Sequence, residues 1–165
     1  MTDSIDETAR IVDSTIGRTE IREHVTVHDS EIGADCKIYE RTSLKKSRVD
    51  DAVDINAGTY VENADVGPNV QIGPNCSVVG VTHELTEDGM EFREDIFERI
   101  ILHERVFLGA NAVVAPGVEI GAGTVVAAGS TVSHDVGPRK IVLGSPPAQR
   151  VVDLREWLDR RNQDR

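Results

Sequence analysis

The chain has 165 residues, 39% of them hydrophobic, which is enough for one folded domain with a single core. Acidic residues outnumber basic ones by 29 to 18 and give a formal net charge of −11. Such a surface repels phosphate backbones and anionic membranes, so we expect neither nucleic acid nor membrane as a partner.

Composition also bears on the environment of the protein. The sequence has no apolar run of 18 residues and an acidic N-terminus, so we expect a cytoplasmic protein with Cys36 and Cys76 reduced and packed in the core. The basic residues are mostly arginine, and an acid-rich, lysine-poor surface stays soluble in concentrated salt. A halophilic source is therefore one hypothesis, and an ordinary acidic cytosolic protein is the other.

Aliphatic residues recur every five or six positions from Ile11 to Val78. From Val27 the gaps run five, six and six, three times in succession. This period of 17 residues is neither that of a helix nor that of a single strand, and it predicts a coil of three short strands per turn. One corner of each turn is shortened, in the segments VHDSE, LKKSR and VENAD.

The register stops after Val78 and resumes at Leu102, which predicts an excursion loop over about residues 82–100. A loop this long in a compact solenoid is usually functional. His83 lies at its start and is our candidate general base, because imidazole titrates near neutral pH. We expect the loop acids to be solvated, with contact to a polar acceptor as the alternative: Glu84, Glu87, Asp88, Glu91, Glu94 and Asp95.

Beyond the loop an aliphatic residue returns every six positions, at Leu102, Leu108, Val114, Ile120, Val126 and Val132. Stacked coils of this kind bury their aliphatic residues in shared columns, so no coil is stable alone. We expect about six coils in a domain spanning residues 1–150. Asp153, with Glu156 as capping partner, predicts a short C-terminal helix over 151–165.

The hexad pattern resembles the left-handed parallel β-helix of the hexapeptide-repeat acyltransferases. A Thr-His pair entering a long loop, followed by LHERVFLGANAVVAPGVEIGAGTVVAAGSTVSHDV and LGSPPA, is similar to the sugar and xenobiotic O-acetyltransferases of that family. The resemblance implies an all-β, left-handed fold and an acetyl-CoA-dependent O-acetyltransferase acting on a hydroxyl, or an amine, of a small polar acceptor such as a sugar or antibiotic. Exposed aliphatic and small residues on the prism walls predict a homotrimer with sites at its chain boundaries.

The same resemblance assigns roles to individual residues. His83 matches the histidine that deprotonates the acceptor, although Glu84 stands where relatives often have proline. The Ala110 amide is the candidate oxyanion donor, and CoA is expected along Ala110 and Ala128. Two further assignments have an alternative each. Phe107, where the family often has tryptophan, packs on the pantetheine arm or covers the core. The bases Arg139, Lys140 and Arg150 neutralise a CoA phosphate or are ordinary solvated charges.

Two other functions fit the fold. A γ-class carbonic anhydrase would need three histidines around zinc, and His24 with His28 is the only close pair; we expect no metal. A non-catalytic trimeric β-helix scaffold is the second alternative, since a fold alone proves no chemistry. The interrupted columns and the loop histidine favour the enzyme over the scaffold.

Overall fold

Three β-sheets form the walls of a coil in a computed structural model that describes residues 4–163. The first sheet contains β1 (Ser4–Ile5), β4 (Glu20–Ile21), β7 (Lys37–Ile38), β10 (Asp54–Ile55), β13 (Gln71–Ile72), β18 (Phe107–Leu108), β21 (Val125–Val126), β23 (Lys140–Leu143) and β24 (Arg150–Asp153). All its neighbours are parallel except β24, which runs antiparallel to β23.

The second and third walls are wholly parallel. The second sheet contains β2 (Arg10–Val12), β5 (Thr26–His28), β8 (Ser43–Lys45), β11 (Tyr60–Glu62), β14 (Ser77–Val79), β19 (Val113–Val114) and β22 (Thr131–Val132). The third contains β3 (Thr15–Ile16), β6 (Glu31–Ile32), β9 (Arg48–Val49), β12 (Ala64–Val66), β17 (Ile100–Leu102) and β20 (Glu119–Ile120). We call the bends between sheets one and two, two and three, and three and one the first, second and third corners.

The aliphatic columns predicted from the sequence form the core. Ile38 pairs in register with Ile55, which pairs with Ile72, so one turn of the coil contains 17 residues. The six aliphatics from Leu102 to Val132 are each at most 1% exposed. The predicted fold class, a three-sided parallel β-helix with a short C-terminal helix, is confirmed. The second sheet has seven strands in residues 4–163, one per turn, where about six coils were expected, because winding already begins at β1.

The shortened second corner is held by a ladder of buried serines. The Ser47 amide donates to the Ser30 hydroxyl at 3.1 Å, and the Ala64 amide donates to the Ser47 hydroxyl at 3.1 Å. The residue before each serine, and Asn63 before Ala64, has a positive φ, a conformation that lets the chain turn within few residues. In the turns before the hairpin, the five-residue gap between inward aliphatics falls at this corner.

The excursion leaves the coil at the second corner as a β-hairpin of β15 (Val81–Thr86) and β16 (Gly89–Phe97). Its strands pair only with each other and join none of the three walls. The hairpin therefore projects from the prism between β14 and β17 without interrupting the stacking of the turns.

The C-terminal segment closes the last turn. Residues 150–153, most of which the sequence reading placed in the helix, form β24, and the helix α1 begins one residue later (Leu154–Gln163). The Asp153 carboxylate accepts hydrogen bonds from the amides of Arg155 and Glu156 at 3.0 and 3.4 Å, as an N-cap does. No helix within residues 4–163 is long and apolar enough to cross a membrane.

The charge imbalance predicts that salt stabilises this fold. With a net charge of −11, like-charge repulsion acts on the folded surface and is screened by salt. Raising KCl from 0.1 to 2 M should increase the thermal midpoint by about 2–8 °C, equivalent to about 1–2 kcal/mol. Circular dichroism measures this shift. A thermal midpoint that does not depend on the KCl concentration would contradict the hypothesis of a halophilic source.

Candidate functional site

His83 forms a pair with an acid on the opposite strand of the hairpin. It lies in β15 directly opposite Asp95 of β16, and its Nδ1 is 3.1 Å from the Asp95 carboxylate oxygen Oδ1. Both side chains are about half exposed. Within residues 4–163 the other ring nitrogen, Nε2, has no partner. An imidazole held at Nδ1 by a carboxylate and open at Nε2 has the arrangement of a general base.

The pairing depends on an irregularity in the hairpin. Leu85 lies opposite Met90, whereas two residues earlier in β15 His83 lies opposite Asp95, so β16 contains three extra residues between these pairs. Arg93, inside the extra segment, has a φ of +67°. The tip exposes large apolar side chains, with Leu85 and Phe92 at 72% and 71%. The hairpin thus carries a polar pair near its base and an uncovered apolar tip.

The remaining histidines are not grouped. His103 Nε2 lies 2.5 Å from Glu119 Oε1 on the third wall, and His134 contacts the neighbouring Ser133. His24 lies in the turn at the first corner, with a φ of +59°, and His28 ends β5. No group of three or more His, Cys, Asp or Glu among the described residues is arranged to hold a metal. The zinc alternative therefore gains no support from this arrangement.

Ala110 and Ala128 occupy equivalent positions on adjacent turns at the first corner. The Gly129 amide donates to the Ala110 carbonyl at 2.8 Å, which fixes the stacking of the two turns. A Cβ on Gly109 would lie 2.5 Å from the Ala128 nitrogen, so this glycine allows the close approach. In the described part of the chain the amides of Ala110 and Ala128 have no hydrogen-bond partner. Two open donors in line along a corner suit a ligand that carries amide carbonyls.

The residue type at this corner position changes along the coil. Two residues after the inward aliphatic, successive turns have Glu7, Glu23, Glu40, Ala57, Pro74, Ala110, Ala128 and Gly144. The early turns carry an acid and the later turns carry a small side chain. An anionic ligand is therefore repelled from the N-terminal part of the first corner and can approach its C-terminal part.

The other residues predicted to bind CoA are dispersed. Phe107 is 40% exposed on the first wall, between Gln71 and Val125 in register. Lys140 contacts Asp153 at 3.4 Å, and Arg150 lies opposite Leu143, about 10 Å farther along the strand pair. Arg139 is at the third corner, beside Gly123. The three bases do not form one cluster in a single chain.

Three residues at the foot of the hairpin were not singled out from the sequence: Asn63, Asp65 and Arg99. Arg99 donates to the Asp65 carboxylate at 2.5 Å and to the Asn63 side-chain oxygen at 3.1 Å. The hydrogen bond from Arg99 holds the pKa of Asp65 below its usual value, so this pair stabilises the fold at neutral pH and ceases to do so as the pH falls through that lowered pKa. The only sequence signal was the shortened corner at VENAD.

One chain does not bring all predicted site residues together. His83 lies on the hairpin at the second corner, whereas Ala110 and Ala128 lie at the first corner, across the width of the second wall. A single site made from these residues needs the second corner of one copy beside the first corner of another.

The comparison with known families matches the repeat itself. The family described as bacterial transferase hexapeptide (six repeats) matches residues 99–134, the turns that follow the hairpin. The turns after the hairpin thus carry the hexapeptide repeat of bacterial transferases. A galactoside O-acetyltransferase from Lactococcus lactis is 32% identical over 71% of this chain and 60% of its own length. The bifunctional protein GlmU of Clostridioides difficile is 28% identical over 96% of this chain and 33% of its own length.

The hexapeptide repeat also accounts for the likeness to solved structures. A variant of AntD, an N-acyltransferase from Bacillus cereus in complex with dTDP-4-amino-4,6-dideoxyglucose and coenzyme A, superimposes with a TM-score of 0.76. The superposition covers 92% of this chain and 89% of the other, at 18% identity, which establishes a common fold. The chain spans less than two thirds of the length of these curated relatives, so their acceptors are not transferred to it.

Proposed function

We propose that this protein is an acetyl-CoA-dependent acyltransferase that acetylates a hydroxyl, or an amine, of a small polar acceptor such as a sugar. The observation that carries the proposal is the His83–Asp95 pair on a hairpin inserted at one corner of a hexapeptide coil. The family match and the acyltransferases among its relatives support the reaction class.

His83 is the general base of the proposed reaction. Its Nε2 takes the proton of the acceptor hydroxyl as the oxygen attacks the thioester carbonyl carbon. The bond from that carbon to sulfur then breaks, and the proton passes from His83 to the thiolate, leaving an acetyl ester and free CoA. Asp95 stabilises the imidazolium that exists between these two proton transfers.

The acyl donor is expected along the first corner of the later turns. The open amides of Ala110 and Ala128 suit the pantetheine amide oxygens, and the Ala110 amide is the candidate donor to the oxyanion of the tetrahedral intermediate. The small side chains there leave room, and the acids of the earlier turns are absent. Phe107, Arg139, Lys140 and Arg150 remain candidates for flanking contacts.

A homotrimer completes the proposed site. Because His83 and Ala110 lie at different corners, each site combines the hairpin of one copy with the first corner of its neighbour. Three equivalent sites at the chain boundaries follow from a closed ring of copies. Light scattering tests this, and a monomer at assay concentrations would contradict it.

The activity is tested by the release of free thiol from acetyl-CoA with a panel of acceptors. The panel should contain a galactoside, a free amino sugar, a nucleotide-linked amino sugar and an aminoglycoside antibiotic. We expect thiol release that depends on one acceptor class, with the product 42 Da heavier by mass spectrometry, the mass of an added acetyl group. If the protein neither binds CoA nor releases thiol, the scaffold alternative is favoured. Stoichiometric zinc would revive the carbonic anhydrase alternative.

A further inference from the structure

Asn63 lies directly beneath the point at which the hairpin leaves the coil and contacts both of its ends. Its side-chain nitrogen donates to the Gly80 carbonyl at 2.7 Å, just before β15. Its backbone carbonyl accepts from the Ile100 amide at 3.1 Å, and its side-chain oxygen accepts from Arg99 at 3.1 Å, just after β16. One buried side chain thus connects the outgoing and the returning ends.

The backbone conformation at this corner does not by itself explain these contacts. Asp13, Asp29 and Lys46 hold the same corner position in earlier turns, with φ values of 48°, 50° and 46°, against 53° for Asn63. Those three residues are exposed, whereas Asn63 is only 8% exposed. The turn accepts an acid or a lysine, so the amide of Asn63 serves the hairpin above it.

Arg99 anchors the returning strand to the same turn. Besides Asn63, it donates to Asp65 at 2.5 Å. Two residues earlier in the chain, the Phe97 ring lies 4.4 Å from the Lys46 ammonium. The returning strand, which carries Asp95, is therefore held to the coil by successive side chains below it.

The outgoing end has no free space. A Cβ on Gly80 would lie 2.4 Å from the Asn63 carbonyl oxygen and 2.6 Å from that of Glu98. The Glu98 amide donates to the Gly80 carbonyl at 2.9 Å and closes the base of the hairpin. Beyond this base the hairpin is a lone two-stranded ribbon, which is marginally stable without further packing.

We infer that Asn63, Asp65 and Arg99, here called the hairpin clamp, are positioning residues that set the direction of the hairpin and so the place of His83 over the neighbouring copy. The inference rests on the proposed function for its catalytic part. A ribbon pivoting at its base moves His83 away from the acyl donor, and a displacement of about 1 Å can reduce turnover about 100-fold. The clamp touches neither substrate and acts through His83.

Arg99→Ala tests the clamp. We expect kcat to fall about 10- to 100-fold with the KM for acetyl-CoA unchanged, because the donor corner is untouched. Hydrogen exchange at the Glu98 and Ile100 amides should accelerate at least about 10-fold, while the thermal midpoint moves by no more than about 4 °C, since an exposed ion pair contributes little to global stability. In a His83→Ala background the same change should lower kcat no further, since the clamp acts through the missing imidazole.

Arg22→Ala is the matched control. Arg22 is as exposed as Arg99, at 40% against 38%, and is paired with Glu20 and Glu40 on the first wall, away from the hairpin. Its loss should change neither kcat nor exchange at the hairpin base. Asn63→Asp keeps an acceptor for Arg99 and removes the donor to Gly80, so it should also accelerate exchange at Glu98.

Each result has a defined meaning. Unchanged exchange at Glu98 and Ile100 in Arg99→Ala would overturn the clamp. A fall in kcat that adds fully to that of His83→Ala would also overturn it, because Arg99 would then act independently of the imidazole. Absence of acyl transfer in the wild-type protein would defeat the proposed function, and accelerated exchange in Arg99→Ala but not in Arg22→Ala would still support the clamp.

Discussion

Replacing His83 with alanine should lower kcat by about 10² to 10⁴, because the acceptor hydroxyl then loses its proton without a positioned base. Binding of acetyl-CoA should be nearly unchanged, since the open amides of Ala110 and Ala128 are at another corner of the prism. Thiol release under saturating substrates measures the first quantity, and calorimetric titration with CoA measures the second. Asp95→Asn should give a smaller loss, because the imidazole remains but its protonated form is no longer stabilised.

His103→Ala is the control for the loss of a paired histidine. His103 is 45% exposed and lies 2.5 Å from Glu119, so it matches His83 in exposure and in having a carboxylate partner. Its replacement should leave kcat within about twofold of wild type. Full activity in His83→Ala combined with a large loss in His103→Ala would transfer the role of base to the third wall.

The fold could be predicted from the sequence because its determinants are periodic. The inward aliphatics lie one above another in successive turns, as Ile38, Ile55 and Ile72 do. Their spacing alone therefore gives the number of walls and the number of residues in each turn. The shortened corner was also visible, because a five-residue gap recurs at the same place in every turn before the hairpin. Neither inference requires knowledge of a contact between distant segments.

The partner of His83 could not be predicted in this way. The tip of the hairpin pairs Thr86 with Gly89, and simple counting from that turn would place Phe92 opposite His83. Three extra residues in the returning strand bring Asp95 to that position instead. A bulge of this kind depends on the fit of the ribbon to the coil and leaves no periodic signal, so Asp95 appeared only as one of several loop acids.

The clamp and the dispersed bases illustrate the same limit. Asn63 reads as a turn residue in the sequence, since asparagine commonly adopts positive φ, and its contacts to Gly80 and Arg99 depend on where the hairpin leaves. Arg150 follows Lys140 by ten residues, but the antiparallel pairing of β23 and β24 places it opposite Leu143, about 10 Å from Lys140 along the strand pair. Short sequence distance indicates a cluster only when the intervening chain does not form an extended strand pair.

Ala110→Pro should remove a single backbone donor and leave the turn intact. The equivalent position one turn earlier is already a proline, Pro74. A second proline, Pro138, stacks on Gly121 at the third corner, with its nitrogen 2.4 Å from where a Cβ on Gly121 would lie. Ala110 stacks on Gly73 in the same way, with its nitrogen 2.7 Å from the corresponding Cβ position. The coil therefore accepts proline in this stacking. If the Ala110 amide donates to the oxyanion, kcat should fall about 10²- to 10³-fold.

Ala57→Pro makes the matched change at the equivalent corner position, two turns before Ala110 and three before Ala128. In residues 4–163 the Ala57 amide is also without a hydrogen-bond partner. It should leave kcat unchanged, because that turn precedes the hairpin and no site is proposed there. If Ala110→Pro raises the KM for acetyl-CoA and leaves kcat unchanged, the Ala110 amide donates a hydrogen bond to pantetheine. The oxyanion would then need another amide as its donor. In the proposed site, the Ala110 amide and His83 come from different copies. Mixed oligomers of Ala110→Pro and His83→Ala subunits should therefore regain part of the activity that each variant lacks alone. If mixing restores no activity, a site shared between copies is contradicted.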